Sequence, residues 1–363
     1  MKCLGIKQLD GFKCIADKCT YTCCRGWIIA IDDKAEMYKQ MGYEDRIVYE
    51  NGRWRMKLNP DGRCAMLDQR GLCKLVLEHG EEVLSATCSI YPRVINKTKD
   101  TIELSYNNDC PAVISALREL KDSLVFEMYE IEEDVPIRID ENERYYAIRD
   151  MVIDLLQISD IPVWVRLMMC YQFIEKTMSE DSVYPVIEKY NDVNFIIELY
   201  NQILGIKCGF LEKGNYIISL VFQFIKRTTD DEVYNRYIGK ISDYLSTVTI
   251  QELDALWSEY QKHKIENEML YENLLVNAVF INIMSDSRLG LRDGMLALIF
   301  EYSAIMMTHF LYWCVNEKVV DIKAENDIIC YFARLIEKNA SKNMKAFLEN
   351  CGNTKGNVFL RLL

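Results

Sequence analysis

The distribution of cysteine constrains this chain more than any other feature of its sequence. Nine of the 14 cysteines fall within the first 110 of 363 residues. The opening stretch MKCLGIKQLDGFKC has no apolar run long enough for a secretory signal, so we expect a cytoplasmic protein whose thiols stay reduced. In such a compartment a metal centre can hold together a small loop-rich region where disulfides cannot. The sequence therefore predicts a cysteine-ligated metal centre in the first 110 residues.

Eight of these cysteines form the predicted set of metal ligands, namely Cys14, Cys19, Cys23, Cys24, Cys64, Cys73, Cys88 and Cys110. Thiolates select zinc, copper(I) or iron–sulfur clusters, and His79 is the only histidine near them in the sequence. Structural zinc sites often use C-x2-C pairs, which this sequence lacks. The x4 and x3 gaps after Cys14 and the Cys110-Pro111 pair are closer to iron–sulfur ligand runs. We therefore favour one or two 4Fe–4S clusters, with zinc as the alternative and a thiol or disulfide framework as a third interpretation.

The adjacent pair Cys23-Cys24 raises the question of how many centres there are. In an extended backbone neighbouring side chains project to opposite sides, so we expect the two thiols to serve different centres, or one of them not to be a ligand. Cys19-x3-Cys23 begins like the C-x3-C-x2-C run of radical enzymes that use S-adenosylmethionine, but Gly26 stands at the third position. The sequence therefore does not predict radical chemistry of that kind.

The cysteine-rich stretch reads as short strands separated by turns. Trp27–Ile31 and Arg53–Leu58 are the strand candidates, and the runs on either side of Asp61-Gly62 are candidates for a hairpin. Such a stretch can build little core by itself, so we expect a small cysteine-rich metal-cluster domain with short strands at residues 1–111.

Helical periodicity dominates the rest of the chain. Pro111 suits the first turn of a helix that continues through AVISALRELKDSL. Apolar residues also recur at helical spacing in Glu143–Gln157, Ile161–Met178, Val193–Leu204, Tyr216–Thr228, Ile250–His263, Glu268–Met284, Asp293–Asn316 and Asp327–Asn339. With only 16 Gly and 6 Pro for turns, the composition favours a mainly α protein. We expect residues 112–363 to form an α-helical bundle domain.

Charge and hydropathy exclude two classes of partner. The net charge is −12, and no cluster of Lys and Arg stands out, so we expect no nucleic-acid surface. The most membrane-like run, Gly294–Val315, carries Glu301 and His309 near its middle. Because charged groups are costly at the centre of a bilayer, we interpret this run as a buried helix and expect no membrane contact.

Several longer motifs stand in a fixed order along the chain. They are FKCIADKCTYTCCRGWIIAID, DGRCAMLDQRGLCKL, GEEVLSATCSIYPR and the Cys-Pro pair, followed in the helical half by YENLLVNAVFINIM and IICYFARLIEKN. In this order they resemble the bacterial flagellin lysine-N-methylase family. The resemblance implies methyl transfer from S-adenosylmethionine to lysine side chains of flagellin, by an enzyme that holds an iron–sulfur cluster.

On this resemblance four residues of the motif region are candidates for cofactor binding. Trp27 can face a sulfonium through its π system, although general burial tendencies favour a core position. Asp32 can accept from a ribose hydroxyl, or cap a helix over residues 33–41. Arg63 and Arg93 flank cysteines and suit a carboxylate or cluster sulfur, with a structural ion pair as the alternative. No catalytic residue stands out from the sequence.

Two other classes of function remain open at this point. The chain can be a non-enzymatic cysteine-cluster module, holding zinc or iron–sulfur, whose helical part docks a partner protein. It can also be an electron-transfer protein with a cluster near its surface. Binding of S-adenosylmethionine separates an enzyme from a module, because a ligand that binds only the folded state raises the melting temperature.

Overall fold

The computed structural model describes residues 2–19, 23–97, 101–130, 143–206, 209–225, 234–263, 267–281, 284, 289–338 and 344–350. The N-terminal elements are, in chain order, β1 (Lys2–Ile6), α1 (Ala35–Gln40), β2 (Ile47–Glu50), β3 (Arg53–Met56), α2 (Lys74–His79), α3 (Ala86–Ile90), β4 (Arg93–Lys97), β5 (Thr101–Tyr106), α4 (Pro111–Glu119) and β6 (Phe126–Glu130). Helices α1 to α3 are short, each of five or six residues.

Helices make up nearly all of the remaining described chain. They are α5 (Glu143–Leu156), α6 (Val163–Met178), α7 (Tyr184–Tyr190), α8 (Val193–Leu204), α9 (Phe210–Ile225), α10 (Gly239–Leu245), α11 (Ile250–Tyr260), α12 (Glu268–Phe280), α13 (Gly290–Val315), α14 (Ile322–Ala333) and α15 (Lys345–Asn350). Each of the eight periodic segments overlaps one of these helices, so the mainly α prediction is confirmed; α9, α13 and α14 begin three to six residues before the predicted segments. The predicted ends at Thr228 and Asn339 lie outside the described residues.

A four-stranded sheet with the order β4-β5-β1-β6 was not predicted. Strand β1 runs parallel to β5, with Lys2 opposite Thr101, and antiparallel to β6. Parallel neighbours need a crossover connection, and here the crossover holds seven of the eight predicted ligands. The cysteine-bearing segment is thus an excursion that leaves the sheet after β1 and returns to it at β4 and β5.

A separate hairpin joins β2 to β3, pairing Ile47 with Met56. Asn51 and Gly52 both have positive φ, 53° and 78°, as in the two-residue turn that matches strand twist. The predicted strand Arg53–Leu58 is therefore present in shortened form.

The other two predictions, a strand at residues 27–31 and a hairpin around Asp61-Gly62, are not confirmed. Residues 27–31 make a single bridge between Ala30 and Arg55 and form no strand. The turn at Asp61-Gly62 closes only one antiparallel bridge, from Leu58 to Cys64.

Two apolar clusters support these elements. The small core is built from residues 29–83 and centres on Tyr38, Met66 and Leu75, all 1% exposed or less. The main core extends through the helices and also includes Ile6 and Tyr106 from the sheet. The proposed division into residues 1–111 and 112–363 stays a prediction.

Helix α13 passes through the middle of the main core. Among the described helices it alone has the length and hydropathy that a membrane span requires, and 89% of its most apolar window is buried inside the fold. A core helix of a soluble protein meets the same criteria. Glu301 and His309, which lie along α13, are both buried.

Candidate active site

Four of the predicted ligands lie at the small core. They are Cys24, Cys64, Cys73 and Cys88, of which Cys64 is fully part of that core and the others pack against it. The backbone N–H of Cys64 donates to the carbonyl of Cys24 over 2.8 Å. Burial raises the pKa of Cys64 to about 12, and charge on Cys88, Cys73 and Cys23 adds to the rise. Cys24, Cys64, Cys73 and Cys88 therefore lie close to one another, and we call these four residues the inner group.

The outer group consists of Cys14, Cys19, Cys23 and Cys110, of which Cys23 also lies next to Cys24 and Cys64 of the inner group. Burial raises the pKa of Cys19 to about 12, with further contributions from charge on Cys14 and Cys23. Cys110 interacts with Cys19 in the same way. It is also the N-cap residue of α4, with Pro111 at the first turn as predicted. This group joins the cysteine-rich stretch to the start of a core helix.

Backbone N–H groups point at three of these sulfurs. The N–H of Ala16 lies 3.4 Å from Sγ of Cys14. At Cys110 burial raises the pKa to about 12, while N–H groups of the first turn of α4 act in the opposite direction. The N–H two residues after Cys64 does the same there. Such donors stabilise thiolate ligands and tune iron–sulfur clusters, so the chemistry of the donor set fits a metal centre.

The positions of the thiols fit a metal centre less closely than their chemistry does. Cys23 and Cys24 do not diverge, because this stretch bends and the two sulfurs lie 3.8 Å apart. Within the described residues, no three Cys, His, Asp or Glu side chains stand close enough together to hold a metal ion. The iron–sulfur cluster, its zinc alternative and the eight ligands all stay predictions.

Trp27 and Asp32 both take part in contacts within the protein. Trp27 donates from Nε1 to the carbonyl of Cys23 over 2.7 Å and lies beside the ring of Tyr91, with centroids 6.1 Å apart. The carboxylate of Asp32 accepts from the N–H of Ala86 at the start of α3 (2.7 Å) and from the N–H of Lys34 (3.2 Å). Asp32 therefore links two turns, while the N-cap position of α1 falls on Lys34.

The two candidate arginines lie in different places. Arg63 is half-buried beside Cys64, and its backbone forms a bridge with Arg25. Arg93 lies on β4 and donates from Nη2 to the carbonyl of Phe12 over 3.2 Å. A role for any of the four candidates in cofactor binding stays a prediction.

A pair of carboxyl groups forms a polar site that the sequence did not reveal. Glu301 lies on α13, and Glu337 lies on the π-helical turn Arg334–Lys338 that continues α14. The two share a hydrogen bond. They line a cavity of about 20 Å³ together with residues of α12 and α13, among them Tyr271 and Tyr302. A cavity of this size holds about one water molecule, and single π turns often mark functional sites.

Burial governs the ionisation of this carboxyl pair. It raises the pKa of Glu301 well above the usual range, and the charge on Glu337 raises it further. The pKa of Glu337 is also raised, chiefly by burial, while a hydrogen bond from Asn108 opposes the rise. Two carboxyl groups in one site cannot both ionise easily. Near neutral pH the pair therefore retains a proton.

Asn108 fixes the position of Glu337. Its Nδ2 donates to Oε1 of Glu337 over 2.8 Å and to the carbonyl of Leu274 over 3.0 Å. Its Oδ1 accepts from Nδ2 of Asn277 over 2.6 Å, and the same amide also donates to the carbonyl of Tyr106. Every atom of the Asn108 amide is thus used to orient the glutamate against the end of β5.

The neighbouring Asp109 extends this network toward the cysteines. Tyr91 donates its hydroxyl to Oδ1 of Asp109 over 2.9 Å, and Nε of Arg334 lies 3.4 Å from Oδ2. Arg334 also reaches the carbonyl of Arg25. Since Cys110 follows directly, residues 108–110 include the amide that orients Glu337, the acidic member of a buried ion pair and a predicted metal ligand.

A sequence model of the FliB lysine N-methylase C-terminal domain matches residues 149–359, more than half of the chain. This chain belongs to the FliB lysine N-methylase family. Residues 149–359 include α6 to α15 and both members of the carboxyl pair. The predicted ligands precede the FliB domain in the sequence.

Individual relatives match over a shorter length. The flagellar biosynthetic protein FliU of Salmonella muenchen is 28% identical over 127 residues, which cover 31% of this chain and 75% of that protein. A lysine-N-methylase of Salmonella typhimurium has the same identity over 127 residues, and so does one of Salmonella choleraesuis. The match spans about a third of the length of each lysine-N-methylase, 31%. No solved structure matches this FliB-family chain.

Membership of the FliB family confirms the resemblance drawn from the cysteine motifs. The carboxyl pair was missed because Glu337 carries no signal of its own in the sequence. Glu301 did carry one, since a charged residue in the apolar run of α13 argued against a membrane span. The same residue also signals a buried polar site.

Proposed function

We propose that this protein transfers methyl groups from S-adenosylmethionine to lysine side chains of a flagellar protein, with flagellin as the substrate. The observation that carries the proposal is the match to the FliB lysine N-methylase domain over residues 149–359, a range that includes a pair of carboxyl groups at a cavity. The names of the relatives support methylation of lysine and a place in flagellar biosynthesis.

The chemistry places two demands on such a site. Lysine has a pKa near 10.4, so only about one amine in a few thousand is neutral at pH 7 and able to attack. The site must therefore remove a proton from the ammonium form. It must also align the amine nitrogen, the methyl carbon and the sulfonium sulfur, which is a positioning task suited to rigid helices. A titratable pair fixed between α13 and the turn after α14 suits the first demand.

We also propose that the cysteines hold iron–sulfur. The inner group supplies four thiols from the small core and the outer group supplies four more, so the chain has donors for one or two 4Fe–4S clusters. A bound cluster would cross-link segments that are poor in apolar residues, a structural role, since displacement of a methyl group transfers no net electron. The proposal includes a cytoplasmic location, where reduced thiols persist.

The decisive experiment is an assay of anaerobically purified protein with radiolabelled S-adenosylmethionine and unmethylated flagellin. We expect label in flagellin lysines, located by mass spectrometry, and a melting temperature that rises with S-adenosylmethionine concentration. A protein that neither binds S-adenosylmethionine nor labels flagellin would instead fit a non-enzymatic module. Iron, sulfide and zinc analysis of the same sample decides between the two metals, and a zinc-only result overturns the cluster assignment.

A further inference from the structure

Glu301 differs from every other buried acidic residue that the structure describes. Six aspartates and glutamates are buried. Five of them contact an arginine, in the pairs Glu103–Arg149, Asp109–Arg334, Glu272–Arg166, Glu325–Arg118 and Asp327–Arg236. Within the described part of the chain the sixth, Glu301, has no cationic partner. A buried acid is costly unless it is paired or protonated. Among the described residues, arginine pairs with every buried carboxylate except the one at the cavity.

The atoms of the pair leave room for a cation. Oε2 of Glu301 is buried and has no hydrogen-bond partner among the described residues. Glu337 holds Asn108 through Oε1 and shares a hydrogen bond with Glu301. An ammonium group carries up to three N–H donors and is close in size to the one water molecule that the cavity admits. The pair therefore offers acceptors and negative charge at a position sized for an ammonium group.

The walls of the cavity suit the rest of a lysine side chain. Leu274, Leu298 and Ile305 supply apolar surface, and Tyr302 supplies an aromatic ring. Lysine side chains bury their methylene stems against such surfaces. Glu337 and Tyr302 are both partly exposed, so the pair lies next to the protein surface. Entry of a four-carbon stem requires more than 20 Å³, and the wall must open for it.

We propose that Glu301 and Glu337 form the binding site for the substrate lysine, which we call the lysine seat. The two carboxyl groups bind the ammonium group of the lysine and accept the proton that it must lose before attack. This inference deepens the proposed function and rests on it. Binding of the ammonium releases the proton retained by the pair to solvent. One N–H bond of the ammonium then breaks, its proton passes to a carboxylate, and the neutral amine keeps the electron pair.

The methyl transfer that follows balances without another reactant. The nitrogen lone pair forms a bond to the methyl carbon of S-adenosylmethionine. The carbon–sulfur bond breaks with its electrons moving to sulfur, which leaves S-adenosylhomocysteine and a methylammonium on the lysine. Removal of a second proton from that product to solvent resets the site for a further round.

The test uses n-butylamine as a probe for the lysine side chain and two variants of the full-length, metal-loaded protein. We expect calorimetry to show that Glu337→Gln and Glu301→Gln each weaken n-butylammonium binding by about tenfold or more. Methyl transfer to flagellin should fall by about a hundredfold or more. The affinity for S-adenosylmethionine should stay within about threefold of wild type. The exposed Glu188→Gln on α7 is the matched control and should leave all three measurements unchanged.

Each outcome separates this inference from the proposed function. If wild type methylates flagellin and both Gln variants do so at similar rates, the lysine seat is wrong while the proposed function stands. If n-butylammonium binding depends on the pair but no flagellin is labelled, the proposed function is wrong. Loss of S-adenosylmethionine affinity with n-butylammonium binding intact would assign the pair to the sulfonium and overturn the inference. Glu337→Asp, which keeps the charge on the partly exposed member, serves as a second variant if Glu301→Gln does not fold.

Discussion

Asn108 and Glu337 are joined by a 2.8 Å hydrogen bond across 229 residues of sequence. Asn108 lies two residues before Cys110, and Glu337 lies at the far end of the FliB domain. The bond therefore connects the segment that carries a predicted metal ligand directly to the proposed lysine seat. It also makes Asn108 a positioning residue, since it acts on the substrate only through Glu337.

Replacing Asn108 by alanine tests this relationship. The variant removes the donor to Glu337 and leaves Asn277 without one of its partners, at a cost of about 1–3 kcal/mol in unfolding free energy. We expect kcat to fall by about tenfold, because Glu337 is no longer oriented. A positioning role also predicts a changed pH profile of kcat, which a purely structural role would not produce. Asn191→Ala, at an exposed position after α7, is the control, and an unaltered profile in Asn108→Ala would count against the role.

The carboxyl pair should make the protein less stable as the pH rises. The pKa values of Glu301 and Glu337 in the folded state lie above those of an unfolded chain. Their contribution to stability is therefore complete below about pH 4.5 and is lost as the pH rises toward the folded-state values. The loss is about 1.4 kcal/mol per pH unit for each carboxyl ionised only in the unfolded chain.

The double variant Glu301→Gln/Glu337→Gln removes that loss. We expect it to melt at a higher temperature than wild type at pH 8, with the difference shrinking toward pH 5. Scanning calorimetry across this range measures the effect. The charge on Asp109 also helps to raise the pKa of Glu337. Asp109 is therefore left unchanged in both of the proteins that are compared. If the melting temperatures of the two proteins depended on pH in the same way, the carboxyl pair would not have raised pKa values in the folded state.

A buried ion pair elsewhere in the main core should be structural only. Arg166 and Glu272 are each 1% exposed, and their Nη1 and Oε2 atoms lie 2.5 Å apart. Glu272→Gln leaves a buried guanidinium whose remaining carboxylate neighbour among the described residues is Glu268, at 3.7 Å. We expect a loss of about 3 kcal/mol in unfolding free energy, measured by urea denaturation. Glu36→Gln, in an exposed pair with Lys39, should cost less than about 1 kcal/mol; equal losses in the two variants would contradict this assignment.

The two groups of cysteines predict separable losses of iron. If each group holds one cluster, Cys64→Ala and Cys110→Ala should each remove about half of the iron and sulfide, and the double variant nearly all of it. Cys314→Ala, on α13 and outside both groups, should retain the wild-type content. Metal and sulfide analysis after anaerobic purification provides the measurement. Complete loss in either single variant would instead indicate a single cluster.

Much of the helical architecture could be predicted because its signal is local. The segment Glu143–Gln157 matches α5 within one residue, and Ile161–Met178 matches α6 within two. The apolar spacing that buries a helix face is visible within a short window of sequence. For the same reason Pro111 correctly marked the first turn of α4.

The sheet and the carboxyl pair depend on contacts that no local pattern encodes. Strand β1 pairs with β5 nearly a hundred residues away, and short strands carry weak periodicity. Glu337 gains its significance only from Asn108 and Glu301, which reach it from two other elements. At Cys23-Cys24 the expectation of diverging side chains was wrong because it assumed an extended backbone, whereas the chain bends there.

The place of β1 in its sheet limits how the protein can be divided. Residues 2–6 lie between β5 and β6 and pair with both. A chain shortened by its first six residues would lack this central strand, and β5 and β6 would present unpaired backbone groups to solvent or to other molecules. A chain that begins at residue 149 would lose all four strands of this sheet, including Ile6 and Tyr106 of the main core. Because the apolar surface that they cover would then be exposed, the FliB domain expressed alone should aggregate.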